Sequence, residues 1–231
     1  MKSTSSDSRC HWCAQLASRF MRLWFFKSMG TALFMVLFFH SYFALLKSPA
    51  FPVTIMSTTW VDDWLVFWAP AFYMYASLWV YTALVPALQP SFLRLVAYGC
   101  GIGALCLTGL LTFLFFPTAV PFTASAPWFQ DPTVSILRKI DLSGNAFPSL
   151  HVATAVFTGM SLHRLLREMQ CPRWLRIINW LWCLLIVYST MAIKQHVMWD
   201  AVAGVFLGLL FGLLYPQLEK RLVETLPARM I

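Results

Sequence analysis

Charge is scarce in this sequence. Asp, Glu, Lys and Arg together make up 11% of 231 residues, with only 9 acids among them, against about 25% charged residues in ordinary soluble domains. A soluble enzyme cannot clothe its surface with so few charges. Disorder is excluded as well, because disordered chains are polar and poor in aromatics. A disulfide framework is also missing: Cys10, Cys13, Cys100, Cys106, Cys171 and Cys183 are scattered, and four of them lie in or beside apolar segments. Cys10-His11-Trp12-Cys13 has the spacing of half a zinc site, but no second Cys/His pair lies near it, so no metal site is read there. There is no tandem repeat and no low-complexity tract. A cleavable signal is not expected either, since the polar, basic start up to Arg22 is followed by an apolar run that is too long and has no small-residue cleavage site.

What the chain does contain is apolar. Hydrophobic residues make up 59%, with 20 Phe, 11 Trp and 11 Met, and the mean hydropathy is +0.67. Uncharged stretches near or above the roughly 17–25 residues of a spanning helix fall at about 28–46, 64–88, 95–116, 148–163, 174–193 and 196–216. The expected fold is therefore an all-α membrane protein with six transmembrane helices in one bundle. Placing Lys and Arg on alternate sides of these spans puts thirteen on one side and four (Lys47, Arg138, Lys139, Lys194) on the other. By the positive-inside bias both termini are cytoplasmic and the loops at 47–63, 117–147 and 194–196 face outward. Residues 1–27 then form a cytoplasmic segment, 28–216 a six-helix catalytic domain and 217–231 a cytoplasmic tail. The net charge of +8 is absorbed by this topology, and no nucleic acid is needed to explain it. Gly204, Gly208 and Gly212 recur every four residues in the last span, which favours close helix packing.

Ionisable residues within spans are costly, so each is a candidate site. His40 stands alone among Phe and Leu, and His163 beside Arg164 has a sufficient interfacial role. Two clusters remain. Phe147-Pro148-Ser149-Leu150-His151 opens the fourth span after the Gly144-Asn145 turn signal. Pro148 suits a first helical position, which aims the N–H groups of Ser149, Leu150 and His151 outward as an anion site. Ser149 adds a hydroxyl donor and His151 a proton source. Lys194-Gln195-His196-Val197-Met198-Trp199-Asp200 opens the sixth span. His196 and Asp200 are four apart and share a helical face, so Asp200 can hold one imidazole nitrogen and turn the other toward a substrate. Lys194 adds positive charge. Each cluster alone could be a satisfied interior pair or part of a zinc site. Together, at matched membrane depth, they favour phosphate chemistry.

At these clusters the sequence resembles the type 2 phosphatidic acid phosphatase superfamily, and within it the branch of inositol phosphorylceramide synthases. Pro148-Ser149-Leu150-His151 matches the Pro-Ser-x-His of the family's second motif, and Leu150 in place of the phosphatases' Gly is similar to the synthase branch. Ser189-Thr190 through His196 to Asp200 matches the spacing of the third motif, with Thr190 where the family has Arg. The first motif's local candidate, Pro117 to Phe122, has no basic residue. Arg138 and Lys139 in the outer loop are the substitute cations, or ordinary interfacial charges. The resemblance implies phosphatase or phosphotransferase activity on a lipid phosphate, without metal or other cofactor, at the non-cytoplasmic face of a plasma or inner membrane. His196 would attack phosphorus, Asp200 would orient it, and His151 would protonate the leaving oxygen. Ser149, Lys194, Lys139 and Arg138 would hold the phosphate. One protonated and one neutral imidazole imply a bell-shaped pH profile. The competing readings are head-group transfer between lipids and a catalytically impaired lipid-binding member.

Overall fold

The structure is a computed structural model that describes residues 5–121, 130–132 and 145–225. Arg138, Lys139, Gly144 and Phe122 therefore lie outside the described residues. In chain order the helices are α1 (Ser5–Met21), α2 (Trp24–Lys47), α3 (Trp60–Trp64), α4 (Ala71–Ala76), α5 (Leu78–Ala87), α6 (Phe92–Phe115), α7 (Leu150–Glu168), α8 (Arg173–Ala192) and α9 (Met198–Thr225). Strands β1 (Thr54–Ile55) and β2 (Thr118–Ala119) pair in parallel, Thr54 opposite Thr118.

Among the described residues, four helices are long and apolar enough to cross a membrane: α2, α6, α8 and the Met198–Leu222 part of α9. They expose Leu37, Leu107, Leu181, Leu184, Phe206 and Leu213, as helices solvated by lipid tails do, because those tails are as apolar as leucine. The other two expected spans are built differently. The stretch at 64–88 is not one helix: α3 ends at Trp64, the chain turns irregularly to Pro70, and only then do α4 and α5 follow, hinged at Ser77. The irregular part folds back onto the α8–α9 connection, where Trp68 N–H donates to the Ala192 carbonyl (3.0 Å).

The fourth expected span is α7, the hub of the bundle. It packs on α5, α6, α8 and α9, and Val152, Ala153, Ala155 and Phe157 are sealed from solvent. A membrane helix surrounded by protein can carry polar side chains toward its neighbours, which a lipid-facing surface cannot, and α7 accordingly carries Thr154, Thr158, Ser161 and His163 where the outer helices carry Leu and Phe. Its closest partner is α9. A Cβ on Gly204 would stand 2.5 Å from the Ser149 carbonyl oxygen, and one on Gly208 would stand 2.6 Å from the Ala153 carbonyl oxygen. The glycine stripe therefore brings two backbones together, as its spacing predicts.

At 1.5 Å per residue α7 is about 28 Å long, so its two ends are far apart. At its far end, Arg94 pairs bidentately with Glu168 (2.9 and 2.7 Å) and also binds Glu219. Arg164 binds Glu219, and Arg19 of α1 reaches Glu168 at 3.7 Å. This ion network ties α1, α6, α7 and α9 together. The histidine clusters occupy the other end.

Candidate active site

Helix α7 begins at Leu150, two residues later than Pro148 at a first helical position suggests. Ser149 is the N-cap, its Oγ accepting from Val152 N–H at 3.2 Å, and Pro148 lies outside the helix. Two rules compete here, Pro at the first helical position and Ser at the cap, and the cap prevails. Ser149 is fully buried, and its own N–H donates to the Asp200 carbonyl (3.0 Å). This bond joins the starts of α7 and α9. Leu150 and His151 are then the first-turn residues whose N–H groups lie ahead of the helix's own hydrogen bonding.

The His151 ring stacks on Tyr75, with centroids 3.9 Å apart and planes 10° from parallel, and Trp79 meets it edge-on at 6.2 Å. Its Nε2 lies 3.0 Å from the Tyr75 carbonyl oxygen. A carbonyl only accepts, so Nε2 carries a proton and Nδ1 is the nitrogen that can exchange one.

His196 sits in the turn before α9. Its Nδ1 is 2.8 Å from Asp200 Oδ2, the i, i+4 contact its spacing predicts. Asp200 is fully buried, and its Oδ1 has no hydrogen-bond partner among the described residues. With the proton on Nδ1 donated to Asp200, Nε2 carries the lone pair. Thr190, at the position where the resembled motif has Arg, is fully buried; its Oγ1 donates to the Val187 carbonyl (2.8 Å), and its own carbonyl accepts from Gln195 and His196 N–H at 3.0 and 3.2 Å. It shapes the turn from beneath.

Lys194 adopts a left-handed φ of 58°. Its Nζ donates to the carbonyls of Asp62 (2.7 Å) and Leu65. Burial lowers its pKa from the usual lysine value, against the opposing pull of Asp62 and Asp63. Asp62 is a residue that sequence reasoning missed. Its Oδ2 accepts from Thr59 N–H (2.7 Å) and Thr59 Oγ1 (2.8 Å), and its Oδ1 accepts from Met198 N–H at 2.8 Å. The first N–H of α9 is therefore capped from 136 residues away, with Lys194 clasping the same segment. Its only sequence signal is Thr59-x-x-Asp62, the start of a short helix, and nothing local to it points to residue 198.

His151 and His196 line one cavity of about 220 Å³. Its walls are largely aromatic, with Phe34, Phe38, Phe39 and Tyr42 from α2, Phe72 and Tyr75 from α4, and Trp79 from α5. Among the described residues, no Lys or Arg lines it. The two histidine clusters that sequence places 45 residues apart thus share one chamber, while Ser149 and Lys194 bind backbone beside it.

No curated protein matches the chain, and neither does any solved structure. The family model described as the PAP2 superfamily matches residues 92–224 and takes in both histidine clusters. With that match running over more than half its length, the chain belongs to the PAP2 superfamily, whose members are phosphatases and phosphotransferases.

Proposed function

We propose that the protein is an integral membrane lipid-phosphate phosphatase or phosphotransferase that works through a phosphohistidine. The observation that carries this is the 2.8 Å His196–Asp200 contact beside a cavity that His151 also lines. His196 Nε2 attacks phosphorus, the bond from phosphorus to the lipid oxygen breaks, and a proton on His151 Nδ1 goes to that oxygen. In the second step an acceptor hydroxyl gives its proton to His151 and attacks phosphorus, which frees His196. Asp200 is a carboxylate with one strong partner, so its charge is available to the ring that becomes cationic. The Leu150 and His151 N–H groups at the start of α7 face developing charge on phosphate oxygens. Arg138 and Lys139 supply the cations that the cavity walls lack. Ser149 and Lys194 contribute by fixing the starts of α7 and of the His196 turn.

The cavity also bears on the acceptor. An aromatic chamber suits the chain of a second lipid better than it suits bulk water, which favours head-group transfer of the inositol phosphorylceramide synthase kind over hydrolysis. In the membrane, α4–α5 and α7 complete six crossings around the site, with both termini on the basic, cytoplasmic side and the histidines on the other. Residues 1–27 and 217–231 flank that catalytic domain.

The test is phosphate release and head-group exchange by purified protein in detergent with EDTA, over a panel of lipid phosphates, comparing wild type with His196→Ala. Metal-independent turnover that the variant loses is expected, with exchanged lipid exceeding free phosphate. Equal turnover by both proteins would refute the reading. Lipid binding without turnover in wild type would favour an impaired binding member instead.

A further inference from the structure

At the basic end of the bundle, remote from the histidine chamber, α7 and α8 border a second groove of about 380 Å³. Its polar walls are His163, Arg173 and Arg176, and its apolar floor continues along α8 through Ile177, Leu181 and Leu184. The three apolar residues recur at i, i+4 and i+7, so they form one helical stripe, and they are among the most exposed residues of α8 at 58%, 52% and 61%. Cationic head and apolar track therefore lie end to end on a surface that faces lipid.

The charge ledger at this end does not close. Among the described residues the acids there are Glu168 and Glu219, engaged by Arg19, Arg94 and Arg164, and Glu224, which pairs with Lys220 at 3.8 Å. Among the described residues, neither Arg173 nor Arg176 forms an ion pair, and Arg176 Nε is sealed from solvent without a hydrogen-bond partner. Trp180 Nε1–H donates to His163 Nδ1 at 3.1 Å, which puts that ring's proton on Nε2 and makes it a further donor. Two guanidiniums and an imidazole N–H at the membrane surface suit a phosphodiester, which a guanidinium binds through a pair of parallel hydrogen bonds.

We propose that this groove binds an anionic phospholipid of the adjacent leaflet, with its phosphate on Arg173 and Arg176 and an acyl chain along Ile177, Leu181 and Leu184. The site is separate from the histidine chamber and does not depend on its chemistry.

The experiment is native mass spectrometry of the full chain in detergent, titrated with dioleoyl phosphatidylglycerol, with dioleoyl phosphatidylcholine, or with inorganic phosphate. Wild type should retain the anionic lipid in preference to the zwitterionic one. Arg173→Gln combined with Arg176→Gln should weaken retention about 30-fold, from about fivefold per charge. Lys220→Gln, which removes an exposed charge paired with Glu224 outside the groove, should not weaken it. Unchanged retention in the double variant, or equal retention of the two lipids, would overturn the proposal. So would displacement of the lipid by millimolar phosphate, which would mean an anion site alone. A photoactivatable phosphatidylglycerol on wild type gives a second reading that requires no variant to fold. Labelling within residues 163–184 is expected, and labelling confined to α2, α4 and α5 would contradict the site.

Discussion

A histidine attacks phosphorus only if one ring nitrogen keeps its lone pair while the other is held, and Asp200 does the holding for His196. Asp200→Asn keeps the shape but can present its amide N–H to Nδ1, which moves the ring proton to Nε2 and removes the nucleophile. We expect kcat to fall by roughly 10³-fold or more with the melting temperature little changed, as stopped-rate assays and thermal unfolding would show. His151→Ala removes the proposed proton donor and should cost roughly 10²–10⁴-fold. It should also abolish one limb of the bell-shaped pH profile, and a variant that kept both limbs would move the acid to another residue. Asp62 touches neither histidine in this account; it fixes the first N–H of α9 and, through its carbonyl, Lys194. Asp62→Asn cannot accept from both Met198 and Thr59 and loses a charge-assisted bond of about 1.5–3 kcal/mol. A positioning role predicts a 10- to 100-fold loss in kcat with KM nearly constant, whereas a rise in KM alone would make Asp62 a substrate ligand. The two histidines were legible because each lies in a short local pattern. Asp62 was not, because its meaning rests on a contact across 136 residues.

Among the elements, the pairing of α7 with α9 decides whether the two histidine clusters meet. Gly204 faces the Ser149 carbonyl and Gly208 the Ala153 carbonyl at distances no Cβ tolerates. Gly204→Ala must push backbone aside at the point where Ser149 N–H reaches the Asp200 carbonyl. Overpacking of this kind typically costs 1–3 kcal/mol. We expect lower thermal stability and a loss of turnover larger than the stability change accounts for. Gly99 faces open space, so Gly99→Ala should leave both unchanged. The glycine period was readable in sequence because helix packing imposes it. The break in 64–88 was not, since hydropathy counts apolar residues without regard to whether Pro70 and the irregular turn before it allow one helix. In α7, low apolarity marked a helix shielded by its neighbours, a distinction that a single segment cannot carry.

For the whole molecule, polarity is sorted to two ends of an apolar bundle. At one end Glu219, nearly buried, neutralises both Arg94 and Arg164. Glu219→Gln would leave Arg94 and Arg164 to share Glu168, and losing a charge-assisted bond of this kind costs about 1.5–3 kcal/mol. A marked drop in the detergent melting temperature is expected, and no drop would show that Glu168 suffices for both. At the other end the histidine chamber is walled by aromatic side chains, so the ion network and the candidate site lie at opposite ends of the bundle. The charge count along the sequence already set Arg19, Arg94 and Arg164 apart from Lys194, and the structure has them at opposite ends. The lipid-facing helices α2, α6, α8 and α9 were legible because their solvent dictates their composition. The most direct measurement is a rapid quench of the purified enzyme with a ³²P-labelled lipid phosphate, followed by peptide mapping. The account predicts an acid-labile, base-stable phosphate on the peptide containing His196, which is absent from His196→Ala. Steady turnover with no phosphoenzyme, or label on another residue, would contradict it.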